Sequence, residues 1–110
     1  MNTETVRQGD VLLRRVASIP AEAKATEKKD QAGNDRIVLA YGEVTGHAHA
    51  IHDLDAVDVF VTGEGTMYLQ VKSEASLQHE EHGTIALPPG NYERTIQREY
   101  SPEAIRNVAD

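Results

Sequence analysis

Short runs in which apolar and polar residues alternate, separated by glycine and proline, recur along this 110-residue chain. The clearest runs are Val57–Val61 and Met67–Val71, joined by Gly63-Glu64-Gly65. Alternation with a period of two places the apolar side chains on one face of a strand, and a short glycine-containing connection joins two such strands into a hairpin. About seven to nine short strands at turn spacings of about ten residues predict an all-β fold, an antiparallel β-barrel or sandwich.

Further strands are predicted from the same signals. They are Val11–Val16, Ile37–Tyr41, 47–51, 77–79, 84–87 and the long alternating run 92–100. The continuous apolar run Ile37–Tyr41 is typical of a central strand that is buried on both faces. Residues 19–35 are rich in Ala, Lys and Glu. We expect an exposed loop there, with a turn of helix near residues 20–25.

Two features near the C-terminus complete the predicted fold. Arg94, Arg98 and Tyr100 share one face of the run 92–100; they could bind an anion, but we interpret this face as solvated. Ser101-Pro102 begins a short predicted C-terminal helix over 103–108, because serine is a favoured N-cap and proline is favoured in the first turn. A length of 110 residues predicts a single domain spanning 1–110.

Composition limits the classes of function. The formal charge is −7, from 18 acidic and 11 basic residues, and the lysine cluster at 24–29 is interrupted by acids. We therefore expect no nucleic-acid partner. The absence of cysteine excludes disulfides, thiolate metal sites and a cysteine nucleophile. No run approaches the roughly 18 apolar residues that span a bilayer, and no signal peptide is recognisable, so we expect a cytoplasmic protein without a membrane partner.

Three of the five histidines lie in the stretch His47-Ala48-His49-Ala50-Ile51-His52-Asp53. In an extended strand His47, His49 and Asp53 point to one side, and His52 points to the other. Imidazole is the commonest protein ligand for transition metals. A His-x-His pair with an acid in register therefore indicates a metal or catalytic site. The alternative is a solvated strand that happens to be rich in histidine.

The other two histidines belong to the block His79-Glu80-Glu81-His82, about thirty residues further along the chain. In a strand, His79 and Glu81 share a face, and His82 joins them only through a bulge. In a helical turn, His79 and His82 are neighbours instead. The alternative to a functional role is an exposed acidic corner. Whether this block joins the first one in a single site is left open by the residues themselves.

Two segments together resemble the paired motifs of the cupin superfamily of small β-barrels. The first runs from Gly42 to His49 and is followed by Asp53; the second runs from Gly83 to Glu93 and contains Pro88-Pro89-Gly90. The resemblance implies a barrel with a metal held by His47, His49 and Asp53. The chain departs from the pattern because Asp53 replaces the usual glutamate and Glu93 stands where the last histidine ligand belongs. The closing string 97–106 also resembles a small uncharacterised family of bacterial and phage proteins, a likeness that implies no activity.

The first functional hypothesis is a divalent-metal-binding protein, which would act on a small molecule if it is an enzyme. The candidate metal ligands are His47, His49, Asp53, His79 and His82. Histidine and carboxylate ligands without sulfur suit Zn²⁺, Fe²⁺, Mn²⁺ or Ni²⁺. In an enzyme, Glu80 or Glu81 would move the proton of a metal-bound water. Whether His52 and Glu93 take part is left open.

The second hypothesis comes from a different class of function. A non-catalytic β module can bind a protein partner or build a homo-oligomer through its strand edges, as in bacterial or phage accessory proteins. The histidines would then lie at the surface or in an interface. Metal content and oligomeric mass distinguish the two hypotheses.

Overall fold

The structure, a computed structural model, describes residues 5–41, 47–80 and 82–96. Within these residues the chain forms ten β-strands and one turn of 3-10 helix. In chain order the elements are β1 Thr5–Gln8, β2 Val11–Val16, β3 Lys24–Ala25, β4 Ile37–Tyr41, β5 Ala48–Ile51, the 3-10 helix Leu54–Ala56, β6 Val57–Val61, β7 Met67–Val71, β8 Ala75–Gln78, β9 Ile85–Leu87 and β10 Gly90–Ile96. The all-β prediction is confirmed.

The strands form two antiparallel sheets that pack face to face. One sheet has six strands in the order β1-β2-β10-β7-β6-β3, and the other has four in the order β4-β5-β8-β9. The described strands thus form a sandwich rather than a closed barrel. Side chains from both sheets meet in one apolar cluster, whose fully buried members include Leu13, Leu69 and Tyr92 from the first sheet and Ile51, Leu77 and Leu87 from the second.

The hairpin predicted from alternation is present as β6 and β7. The two strands pair from Val57↔Val71 to Val61↔Met67. Val57 and Val59 are buried on the core side, whereas the Asp58 side chain between them faces Lys28 and forms an ion pair at 2.9 Å. Burial at every second residue therefore reflects packing on one face only. The predicted strand Val11–Val16 is confirmed as β2, with Val11 and Leu13 fully buried.

The prediction that Ile37–Tyr41 is a central strand was wrong. Among the described strands, β4 lies at the edge of the four-stranded sheet and pairs only with β5. Its burial alternates, with Ile37 and Leu39 buried and their neighbours partly exposed. The register shifts between Val38 and Ala40, which is a β-bulge at Leu39. An apolar run cannot by itself distinguish a central strand from an edge strand whose second face is partly covered.

Arg94 also lies differently from the sequence prediction, which placed it on a solvated face. Its Nη1 donates a hydrogen bond of 2.8 Å to the backbone oxygen of Leu39, in the opposite sheet. Its Nε is buried without a partner among the described residues, and burial lowers the pKa of the guanidinium. Arg94 thus follows Tyr92 onto the inner face of β10. The bulge leaves the Leu39 carbonyl available, and the arginine binds it.

The loop predicted for 19–35 is largely exposed, as expected, but it has more structure than the sequence indicated. A β-turn closed by a 3.0 Å bond from Ala23 N to Pro20 O stands where a helical turn was predicted, so that prediction was wrong. Lys24–Ala25 then forms β3, which pairs with β6. The predicted C-terminal helix over 103–108 and the end of the run 92–100 lie outside the described residues. Among residues 5–41, 47–80 and 82–96, no helix is long and apolar enough to cross a membrane.

Neighbouring residues of β7 test the assignment of inner and outer faces. Leu69 is fully buried, whereas Gln70 is exposed. We expect Leu69→Ala to lower the free energy of unfolding by about 2–5 kcal/mol, because it leaves a cavity in the core. Gln70→Ala is the matched control and should change it by less than about 0.5 kcal/mol. Urea denaturation of both variants measures the difference, and equal effects would contradict the face assignment.

Candidate metal centre

The pairing of β5 with β8 brings the two histidine blocks together. The register joins Ala50 to Gln78 and Ile51 to Leu77. One further step along the same antiparallel register places His49 opposite His79. Directly opposed residues of an antiparallel pair lie on the same face with their side chains in contact. The ring centroids of His49 and His79 are accordingly 4.2 Å apart.

Two more histidines join this pair. The ring of His47, just before β5, lies 5.9 Å from that of His79. The ring of His82 lies 4.7 Å from His79 and 5.7 Å from His49. We call His47, His49, His79 and His82 the histidine cluster. Four of the chain's five histidines are thus gathered from two segments that the sequence separates.

The atoms that can bind a metal come closest at one end of the cluster. One nitrogen each of His47 and His79 and one carboxylate oxygen of Glu80 lie within 4.8 Å of one another. Donors on a tetrahedral zinc ion are about 3.3 Å apart, given bonds of about 2.0–2.1 Å. Side-chain movements of about 1 Å would therefore bring these three groups into bonding distance of one ion.

Glu80 is held in place by the first residue of β5. Its Oε1 accepts a hydrogen bond of 3.0 Å from the backbone nitrogen of Ala48. This bond is the main cause of the lowered pKa of the Glu80 carboxyl, and the nearby His47 and His79 lower it further. Glu80 is therefore ionised near neutral pH, as a metal ligand must be.

A buried glutamine orients His49. Gln8, at the end of β1, donates from Nε2 to the carbonyl oxygens of Leu77 at 3.0 Å and Gly83 at 2.8 Å. Carbonyl groups only accept, so the Gln8 oxygen is the atom that faces His49 Nδ1, at 2.8 Å. Nδ1 must then carry the proton in that contact. In the neutral ring this leaves the lone pair on Nε2, which is the form that binds a metal.

The environment of His49 favours this neutral form. Its side chain is 6% exposed. Burial, followed by charge on His79 and His82, lowers the pKa of His49 to about 4, against smaller opposing effects of Asp10 and Glu80. Charge repulsion from His79 and His82 therefore lowers the pKa of His49, as burial does. At neutral pH, His49 is uncharged and available as a ligand.

The turn between β1 and β2 covers the cluster from the other sheet. Gly9 adopts φ +57, a conformation that side chains other than glycine rarely tolerate. A Cβ at this position would lie 2.8 Å from His82 Nε2 and 3.1 Å from His49 Cε1. Glycine is thus needed here for both the turn and the approach to the rings. Neither Gln8 nor Gly9 was predicted as a site residue, because the sequence shows only a turn-like Gln8-Gly9-Asp10.

Asp53 and Glu93, which the sequence also nominated, make their contacts with residues outside the cluster. Asp53 directly precedes the 3-10 helix, and its Oδ2 accepts a hydrogen bond of 2.8 Å from the backbone nitrogen of Ser76. Four residues from His49 at about 3.3 Å each is about 13 Å along the chain. Glu93 forms an ion pair with Arg14 in the six-stranded sheet. His52 is exposed on the opposite face of β5, and Glu81 lies outside the described residues.

A cleft of about 170 Å³ opens beside the candidate ligands. His79 and Glu80 line one part of it, and Ala48 and Ala50 of β5 lie along it. Arg36 and His52 line a further part. A ligand in this space would touch residues of the candidate metal centre directly.

The comparisons with known proteins identify a family without an assigned activity. Residues 7–97 match the family described as a domain of unknown function, DUF8820. The chain belongs to the DUF8820 family. No curated protein and no solved structure matched the chain. The family match agrees with the expected likeness to an uncharacterised small protein, whereas nothing in it supports the cupin resemblance.

Paired glycine substitutions test the contact between the turn and the cluster in this DUF8820 domain. Gly9 and Gly33 both have positive φ, but a Cβ at Gly33 would meet nothing within 4 Å. We expect Gly33→Ala to lower the free energy of unfolding by about 1–2 kcal/mol through backbone strain alone. Gly9→Ala should lower it by about 1 kcal/mol more, because the histidine rings must also move. Urea denaturation measures both, and an equal loss would contradict the contact.

The lowered pKa of His49 predicts a dependence of stability on pH in chelator-treated protein. His49 binds a proton with a pKa of about 4 when folded, compared with about 6.5 when unfolded. The stabilising contribution of neutral His49 to the free energy of unfolding is complete above about pH 6.5. It is lost as the pH falls toward 4, because the unfolded chain binds the proton more readily. The full loss amounts to about 3 kcal/mol. Imidazole resonances followed by NMR should show His49 titrating near pH 4; an inflection near 6.5 would contradict this.

Proposed function

We propose that this DUF8820 domain binds one divalent transition-metal ion at the histidine cluster. His47, His79 and Glu80 are the first ligands in this proposal. The observation that carries it is the approach of their donor atoms to within 4.8 Å of one another. The pairing of β5 with β8 and the hydrogen bond from the backbone nitrogen of Ala48 to Glu80 hold these groups together. The arrangement therefore does not depend on flexible surface side chains alone.

His49 is the fourth ligand in the proposal. It is the most buried of the four rings, and its bond to Gln8 through Nδ1 leaves the Nε2 lone pair for a ligand. A hydrogen bond to the distal nitrogen of a ligating histidine is the usual way in which proteins fix ring orientation and tautomer. His82, which is exposed and stacked on His49, completes or shields the site. Asp53, 13 Å or so along the chain from His49, is not part of the proposed ligand set.

Three imidazoles and one carboxylate form a donor set that suits Zn²⁺, Fe²⁺, Mn²⁺ or Ni²⁺. The cleft of about 170 Å³ beside His79 and Glu80 gives a small molecule access to the ion. Such an ion polarises a bound oxygen or lowers the pKa of a water molecule. This supports a metal-dependent reaction on a small molecule as the activity. Glu80 was predicted as a proton carrier, but its position favours the role of ligand.

Metal analysis of single variants tests this proposal. Untagged protein loaded with Zn²⁺ and dialysed should hold about one ion per chain, and calorimetry gives its affinity. His47→Ala, His79→Ala and Glu80→Gln should each weaken binding by at least about tenfold, since each removes one direct ligand. His52→Ala is the matched control: it removes a histidine at the far end of the cleft, about 13 Å along the strand from Ala48, and should leave the metal content unchanged.

Circular dichroism and light scattering complete the experiment. The variants should retain the parent's β spectrum, because the candidate ligands lie at the end of the β5–β8 pair rather than in the apolar cluster. Equal metal content in the parent, His47→Ala and His79→Ala would overturn the proposal. A metal-free protein that forms a discrete oligomer would instead favour the assembly module.

A further inference from the structure

The cleft beside the candidate metal centre has two chemically different ends. At one end are His79 and Glu80. At the other end is Arg36, which precedes β4; the pairing of Ile37 with Ile51 places it opposite His52. Ala48 and Ala50 lie between the two ends along β5. Four residues of strand separate the ends, a length of about 13 Å, part of which the long arginine side chain covers.

The guanidinium of Arg36 is held by a buried carboxylate. Arg36 Nε donates to Asp30 Oδ2 at 2.7 Å, and the Asp30 side chain is only 3% exposed. The oxygens of Asp30 also accept bonds from the backbone nitrogens of Ala32 and Asn34, at 2.9 and 2.8 Å. These bonds, with that of the arginine, lower the pKa of Asp30 to about 2. The loop 30–36 is therefore built around one fixed carboxylate that orients the arginine.

Only the Nε edge of the guanidinium is used in this contact. The Arg36 side chain makes no other hydrogen bond to the part of the chain that the structure describes, and it is 22% exposed. Its two terminal nitrogens therefore remain for a ligand. A planar guanidinium presents a pair of N–H groups that match the two oxygens of a carboxylate. An anchored arginine at the wall of a cleft is suited to this use because little of its side-chain freedom remains to be lost on binding.

The size of the cleft restricts the ligand. Its volume of about 170 Å³ is well below the 300–1,000 Å³ of sites for drug-sized molecules. A molecule of fewer than about ten non-hydrogen atoms would fill it.

We propose that this cleft binds a small organic carboxylic acid, with its carboxylate on Arg36 and its other end at the metal centre. The contact with the metal centre rests on the proposed metal function, whereas the contact with Arg36 does not. Without an ion, Arg36 and Glu80 bring opposite charges to the cleft. A divalent cation makes the cleft net positive and strengthens the binding of an anion. By thermodynamic reciprocity, the bound acid strengthens the binding of the metal by the same factor.

Succinate is the probe. Calorimetry or NMR titration measures its affinity for the zinc-loaded and for the chelator-treated protein. Arg36→Gln should weaken succinate binding by about tenfold or more, because the paired N–H groups are lost. Arg36→Lys keeps a cation for Asp30, protects folding and should show a smaller loss, because it lacks the planar fork. Arg14→Gln is the matched control: it removes an exposed arginine of the six-stranded sheet and should leave the affinity unchanged. Thermal unfolding reports whether each variant is folded.

The outcomes separate this proposal from the metal proposal. Succinate binding that depends on Arg36 in chelator-treated protein supports the cleft even if zinc fails to bind. Equal affinity for succinate in the parent and a folded Arg36→Lys or Arg36→Gln variant overturns it. Equal affinity for the uncharged succinamide also overturns it, because no carboxylate would then be recognised. Tighter binding of inorganic phosphate than of succinate overturns the assignment to a carboxylic acid.

Discussion

The antiparallel pairing of β5 with β8 determines where the histidine cluster lies. Because side chains alternate along a strand, a slip of one residue would turn His49 outward and Ala50 into the core. The observed register instead places Ile51 and Leu77 inside, both fully buried. The histidine rings then meet just beyond the last pair of that ladder. Burial of two aliphatic side chains thus positions imidazoles that contribute little to the core themselves.

The six-stranded sheet also contributes to the site. Gln8 belongs to β1 of the six-stranded sheet, yet its side chain bonds to Leu77, Gly83 and His49 of the four-stranded sheet and its loops. One amide therefore joins the strand before one histidine block, the loop after it and a ring of the other block. Satisfied polar networks of this kind rigidify a buried region, whereas a single missing partner is costly. The candidate metal centre is consequently a property of the packed sandwich and not of either sheet alone.

Sequence reasoning succeeded where the determining interactions are local. The alternation in Val57–Val61 and Met67–Val71 predicted the hairpin, and the period of two correctly separated His49 from His52. It failed where contacts between residues far apart in the sequence determine the structure. Whether Ile37–Tyr41 lies at the centre or the edge depends on which strands pair, and its apolar run is compatible with both. Arg94 was assigned to solvent because charge usually lies outside, but an unpaired carbonyl across the sandwich accepts its hydrogen bond. Gln8 carries no local signal at all.

The bulge at Leu39 has a consequence for the behaviour of the protein at high concentration. β4 is the outermost of the described strands of its sheet, and a flat outermost strand offers a row of free amides and carbonyls to other molecules. The extra residue twists this row and interrupts its spacing. Arg94 then withdraws the Leu39 oxygen into the interior. The addition of a strand from another molecule is therefore less favourable at the free edge of β4. The domain is less prone to form fibrils through this strand than the apolar sequence of β4 would imply.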